Sequence, residues 1–481
     1  MRTAFSEEFT PELTVPVEAE VQGKIPIWLH GSFVRNGPGS HHGMTHLFDG
    51  YAMLVKFAFK NGSVKVSHRY IDSVAYNTYR DTGKMQFSEF ATRVSPLKSL
   101  WLAFLGIVAS TGIGPGIKVF TDNSSVNVLP TPDGKQLLSL TESVSSTYCI
   151  DFDTLKTLGR LDHGDGVEGL LTTAHPTLLP DGSLINLTSG FGSHYTVVRQ
   201  DRTTNVRTEI AKVPLKHPPT PSWIHDFPVT ENYAVVPETP IFFNTKAAIF
   251  GDAEYILFDW KPEERTLLHL VNLKTGAVTQ FDAPPYFAFH YINTFETADG
   301  SSLCFDFGDF GDPEIVRSLS FDNIRSIQRP LAASPVLRMT IPLDGSSTIA
   351  TVQPLMKDDD SYTYCELPLV NPQYKTKEYR YAYVVSAKTP TFFGNALSKF
   401  DVKEGTTKQW HEAGCIPVEP MMVPRPGAQD EDDGVVLSIV AAAEGGSFLL
   451  VLDAKSFEEV ARAQLPHGIP HGFHGCFVPA N

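Results

Sequence analysis

One short pattern recurs along the chain and limits what it can fold into. A strand ends in an acidic residue, a tight turn follows, and a polar strand resumes. The pattern is loose and occurs at 150–162 (IDFDTLKTLGRLD), 197–210 (VVRQDRTTNVRTEI), 257–270 (LFDWKPEERTLLHL), 270–282 (LVNLKTGAVTQFD), 398–410 (SKFDVKEGTTKQW) and 450–464 (LVLDAKSFEEVARAQ). Hairpins spread evenly through a long chain are the outer hairpins of β-propeller blades, because each blade is one antiparallel unit that buries its faces only against its neighbours. Two further stretches, LPDGSLINL (179–187) and TPDGKQLLSL (131–140), suit the inner hairpins. KNGS at 60–63 and EGGS at 444–447 are tight turns, since Asn-Gly and Gly-Gly tolerate positive φ.

Helical periodicity is scarce and no Gly/Ser linker divides the chain. The reading is therefore all-β: one propeller domain over 1–481, with about six to eight blades and longer inserts forming a cap. Residues 1–24 read as an N-terminal extension, 76–118 as a cap insert, and the loops around 306–330 as a second part of the cap.

Composition narrows the function. The formal net charge of −15 and the lack of any Lys/Arg run exclude a nucleic-acid binder. The five cysteines are scattered and never spaced as CxxC, so they read as ordinary buried thiols of a reducing compartment. The opening MRTAFSEEFTPEL has no apolar h-region, which suits a cytoplasmic or plastid stromal protein and not a secreted one. The segment 99–117 (SLWLAFLGIVASTGIGPGI) is uncharged, but Gly112, Gly114, Pro115 and Gly116 spoil its second half as a helix. It reads as a membrane span, a buried core helix, or a helix that dips into a membrane surface. The 32 phenylalanines fit either β packing or an aromatic-lined site for a long apolar ligand.

A propeller brings residues far apart in sequence to one axis. Four histidines stand in similar settings at or just before strands, beside small, aromatic or proline residues: His175 (TTAHPTLL), His225 (WIHDFPVT), His290 (FAFHYIN) and His474 (GFHGCFV). Taken singly, each is an ordinary buried histidine; together on a radial fold they are a metal-ligand set. Neutral imidazoles suit Zn, Cu, Fe and Ni. With no carboxylate among them, the negative charge has to come from groups that hydrogen-bond the ring N–H, as is common for ligating histidines. Glu142 (LLSLTESV), Glu366 (TYCELPLV) and Glu419 (IPVEPMMV) lie in otherwise apolar strands and are the candidates. The alternative for each is a carboxylate at a strand edge. Near the C-terminus, HGIPHGFHGCF (467–477) holds three histidines, of which His474 is the candidate ligand and His467 and His471 are loop or cavity-mouth residues.

These stretches together resemble the carotenoid cleavage oxygenase family. GSFVRNGPG (31–39), HLFDGYAML (46–54), TTAHP, WIHDFPVTENYAVV, FAFHYIN, EPMMVPRPGAQDEDDGVVLS and GFHG occur in that family's order, from about residue 25 to the end. The resemblance implies a seven-bladed propeller with a helical and loop cap. It implies Fe(2+) held by His175, His225, His290 and His474, with Glu142, Glu366 and Glu419 behind them. The implied reaction is cleavage of a conjugated double bond of a carotenoid or apocarotenoid with O2, and the implied membrane contact runs through about 96–117. FTDNSSVNVL and HGFHGCFVP are closest to the apocarotenal-cleaving, strigolactone-pathway-like branch, and Val126 is placed beside an open coordination position. A retinoid isomerohydrolase and a stilbene-type oxygenase are rivals within the family. A partner-binding propeller scaffold is a rival outside it, and a calcium lactonase would need Asp and Asn oxygens instead.

Overall fold

The computed structural model describes residues 3–94, 121–190, 192–250, 253–326, 331–356, 364–443 and 445–480. Seven antiparallel sheets form the blades of a propeller. Blade 1 runs Leu13–Glu18, Ser63–Tyr70, Tyr51–Lys60, Gly31–Ser40 and Gly475–Pro479 from rim to axis. The inner strands of blades 2 to 7 are Asn127–Pro130, the pair Leu171–Thr172 and Thr177–Leu178, Tyr233–Glu238, Tyr291–Glu296, Glu366–Val370, and the pair Ile416–Pro417 and Met421–Pro424.

The repeated turn has a physical basis. In five of the six hairpins the strand ends at, or one residue before, a cap residue, Asp151, Asp201, Asn272, Asp401 or Asp453, whose side-chain oxygen accepts backbone N–H groups two or three residues on. Four residues after the cap, an N–H donates back to the carbonyl of the capping residue. That residue has positive φ: Leu155, Asn205, Gly276, Gly405 and Phe457. The side-chain cap satisfies N–H groups that the turn leaves without a ladder partner. The stretch 257–270 departs from the pattern. Phe258–Trp260 leaves blade 4 and pairs with Ile241–Phe243 as a separate two-stranded ribbon, because the chain between the first two strands of that blade is long enough to loop out over the face.

Two strand exchanges close the ring. The last strand, Gly475–Pro479, pairs with Gly31–Ser40, and Val21–Gly23 pairs with Glu459–Gln464 on the rim of blade 7. The first 24 residues are therefore not an extension: Leu13–Glu18 and Val21–Gly23 are blade strands, and Ala4 and Phe5 belong to the main hydrophobic core. Closure of this kind leaves only short edges to solvent.

Outside the blades lie the helix Val74–Thr82, the two-stranded ribbon of Ile241–Phe243 and Phe258–Trp260, and the short helices Glu314–Ser318 and Phe321–Ser326. Ser73 caps the first helix at Tyr76 N and Gly83 ends it at φ 65°. The expected membrane-contacting segment 96–117 lies outside the described residues. Among the described residues no helix is long and apolar enough to cross a membrane. The five cysteines are free, four of them buried.

Candidate metal centre and cavity

The four candidate histidines converge. Their ligand atoms all lie within 4.8 Å of one another. Nε2 of His225 is 3.2 Å from Nε2 of both His175 and His290, and Nε2 of His290 is 3.2 Å from that of His474. The local chain explains the placement. His290 and His474 immediately precede inner strands, and His175 precedes Thr177–Leu178 by one residue. His225 sits in the connection leading into Tyr233–Glu238. Blades 1, 3, 4 and 5 thus supply one histidine each.

The remaining blades supply the three glutamates. His290 Nδ1 bonds Glu366 Oε2 at 2.6 Å, His474 Nδ1 bonds Glu419 Oε1 at 2.7 Å, and His225 Nδ1 bonds Glu142 Oε1. Glu366 opens the inner strand of blade 6, Glu419 stands between the inner strands of blade 7, and Glu142 follows the second strand of blade 2. Seven blades present seven residues to one point.

This pairing fixes the chemistry of the rings. With Nδ1–H donating to a carboxylate, the Nε2 lone pairs of His225, His290 and His474 turn inward. Inward lone pairs 3.2 Å apart repel unless a cation sits between them. An ion about 2.1 Å from each nitrogen, the ordinary imidazole–metal distance, spans adjacent donors by about 3 Å, so the set fits one metal ion. Burial and the other three rings hold His175 well below the usual histidine range. Burial also lowers His474, to about 4, against the pull of Glu419. Both stay neutral and able to donate at neutral pH. Burial opposes protonation of His290 too, but Glu366 outweighs it and raises that ring.

Arg35 is a participant to which sequence reasoning gave no role. It is 1% exposed, and its guanidinium donates to Glu419 Oε2 at 2.5 Å and to the Glu419 carbonyl at 2.7 Å. Burial raises Glu419, yet His474 and Arg35 outweigh it, so the group stays below the usual carboxylate range. Arg35 stands inside the strand Gly31–Ser40, which is buried along nearly its whole length, and a charge in such a strand needs a partner.

A cavity of about 1040 Å³, part of it open to solvent, adjoins the cluster. His225, His290, His474, Glu142, Glu366 and Val126 line it near the cluster. Phe48, Phe90, Trp223, Phe289, Tyr364, Phe393 and Phe473 line it elsewhere, with Ile315 and Leu319 from the short helix and the residue after it. The aromatic rings support one another: Phe48 meets Phe289 edge-on at 5.6 Å, and Trp223 stacks on Phe258 of the ribbon at 4.9 Å. Of the other two C-terminal histidines, His471 is buried and lines the cavity, whereas His467 lies half-buried against His68.

Residues 6–479 match the family described as Retinal pigment epithelial membrane protein. The chain is 38% identical over 473 residues to Carotenoid cleavage dioxygenase 8 homolog A, chloroplastic, of Oryza sativa subsp. japonica, covering 96% of this chain and 85% of the relative. The chain belongs to the carotenoid cleavage oxygenase family. This oxygenase is also 31% identical over 519 residues to the Beta,beta-carotene 15,15'-dioxygenase of Rattus norvegicus, covering 96% of this chain and 89% of the relative. Its fold matches the structure described as cobalt-substituted Synechocystis ACO with a TM-score of 0.82 and 24% identity, over 100% of this chain and 98% of the other.

Proposed function

We propose that His175, His225, His290 and His474 hold Fe(2+), and that the chain uses it to cleave a conjugated double bond of a carotenoid or apocarotenoid with O2. The observation that carries this is four imidazole nitrogens gathered within 4.8 Å of one another beside a cavity lined by aromatic rings. The C=C bond and both atoms of O2 become two carbonyl groups, so no further reductant is required. When bound, the iron supplies a reduced centre for O2, since neutral histidine donors favour the ferrous state. The protein does the rest. Glu142, Glu366 and Glu419 hold three rings in the Nδ1–H tautomer. The Phe48, Phe289 and Phe473 walls keep water out and fix the polyene along the cavity. No general acid or base is required, in keeping with a site whose carboxylates face away from the donors.

An apocarotenoid is favoured over a full-length carotenoid because FTDNSSVNVL and HGFHGCFVP resemble the apocarotenal-cleaving branch of the family. The chloroplastic naming of the Oryza sativa relative supports a plastid setting, and the uncharged stretch 99–117 supports contact with a lipid surface. The test is incubation of iron-loaded protein with carotenoids and apocarotenals under isotopically labelled O2, with mass analysis of the products. Label in both carbonyl fragments is expected. Release of an unlabelled alcohol from a retinyl ester would establish the isomerohydrolase reading instead.

A further inference from the structure

Most polar groups around the cavity already have partners. The Glu89 carboxyl, for example, accepts from Thr121 Oγ1 at 3.0 Å and lies 3.5 Å from Asn123 Nδ2. His471 differs. It is 4% exposed, lines the cavity, packs edge-on against Phe393 at 5.0 Å, and its Nδ1 is buried with no hydrogen-bond partner among the described residues. A buried imidazole left unpaired costs free energy, roughly 1–3 kcal/mol per group, so such a residue in a ligand cavity calls for an explanation.

The neighbourhood of His471 gives one. Arg35 packs against the next residue: a Cβ on Gly472 would lie 3.3 Å from Arg35 Cγ. The Arg35 Nε–H, whose other nitrogens are spent on Glu419, is likewise buried and unpartnered. Burial, then Arg35 and His41, hold His471 down to about 3, so the ring is neutral. A cation beside a neutral imidazole draws the lone pair towards itself and turns the N–H away. A proton on Nδ1 would be buried without an acceptor, so the ring carries its proton on Nε2.

We infer that His471 donates a hydrogen bond from Nε2–H to the terminal carbonyl oxygen of an apocarotenoid substrate, and so selects an aldehyde-ended polyene over a hydrocarbon one. This rests on the cleavage reading above, and names the substrate's end group and the residue that recognises it. No bond is made or broken in the step, which only positions the substrate.

The experiment binds a polyene aldehyde to metal-free protein and records its C=O stretch by resonance Raman, then measures turnover in the iron-loaded enzyme. Wild type is expected to lower the C=O frequency. His471→Phe keeps the contact with Phe393 and should bind the aldehyde with the stretch returned to its free value. In the iron-loaded form this variant should show KM for the aldehyde raised roughly tenfold, with KM for a hydrocarbon carotenoid unchanged and iron content intact. His471→Leu, which also lacks a donor, serves if the phenylalanine variant does not fold. A free C=O frequency in wild type overturns the inference while leaving the cleavage activity standing. So does loss of the shift in Trp223→Phe but not in His471→Phe, because the unpartnered Trp223 Nε1–H would then be the donor. Wild type that binds no apocarotenal overturns both this inference and the apocarotenoid reading.

Discussion

His175 stands apart among the four histidines: no carboxylate pairs with its ring among the described residues, and its backbone N–H donates to Thr173 Oγ1 at 3.2 Å. The other three lean on glutamates, and their orientation is only as good as those contacts. Glu366→Gln keeps an acceptor for His290 but removes the charge. It should weaken metal binding 10- to 100-fold, about the usual loss for such a partner, read by competition with a chelator. His225→Ala should abolish stoichiometric iron and cleavage together; a metal-replete, active His225→Ala protein would remove it from the ligand set. Arg35 acts differently. Formally the three glutamates and Arg35 sum to two negative charges, which a divalent ion cancels. Arg35→Met leaves Glu419 buried without its cation, a loss of about 3–5 kcal/mol. It should lower the melting temperature of the metal-free protein as well as that of the holoenzyme, whereas Glu366→Gln should act mainly on the holoenzyme. Histidines and glutamates in apolar strands were legible in the sequence because ionisable groups are rare there. The Arg35–Glu419 bond was not, since it joins residues 384 apart.

At the level of the hairpin, the capped turn carries the fold. Asp201 Oδ1 accepts from Thr203 N and from both N and Oγ1 of Thr204, so Asp201→Ala should cost about 1 kcal/mol, measured by urea unfolding. The fifth position is stricter. Gly276 has φ 73°, and a Cβ there would also lie 2.6 Å from the carbonyl oxygen of Ile210, whereas at Gly300 (φ 68°), in the turn before Ser302–Gly308, a Cβ would meet nothing within 4 Å among the described residues. Gly276→Ala should therefore destabilise more than Gly300→Ala, which carries the left-handed cost alone, about 1–2 kcal/mol. Equal effects would show that the Ile210 contact relaxes away. The sequence pattern identified these turns because the side chain that makes the cap is local to the turn it closes. It misplaced 257–270, where the same local letters occur but the partner strand is decided by what lies across the sheet.

The whole ring depends on its closure. A chain ending at His474 lacks Gly475–Pro479, the strand that joins the C-terminus to blade 1, and should lose cooperative unfolding; a melting temperature unchanged by the truncation would refute that role. Acid should also weaken the molecule. Burial holds His41 and His68 down to about 4 and His471 to about 3, so each takes up its proton only on unfolding. With the folded value below the unfolded one, near 6.5, their stability is fully present above that pH. It is lost as pH falls towards 4, at about 1.4 kcal/mol per pH unit for each proton. His68→Phe should flatten the dependence of stability on pH by about one proton between pH 6 and 5. An unchanged slope would mean His68 is already protonated in the fold.

The sequence alone determined the elements and their chemistry. Alternating strands, capped turns and histidines set among mostly apolar neighbours are written in near-neighbour residues, because hydrogen bonds within a turn and the faces of a strand are local. What only the tertiary structure decided is which side chains meet: Arg35 with Glu419, Glu142 with His225, Phe48 with Phe289, and an unpartnered His471 beside the same cavity. Those contacts follow from the closure of seven blades about one axis. Closure sets distances between residues that nothing in the intervening sequence records.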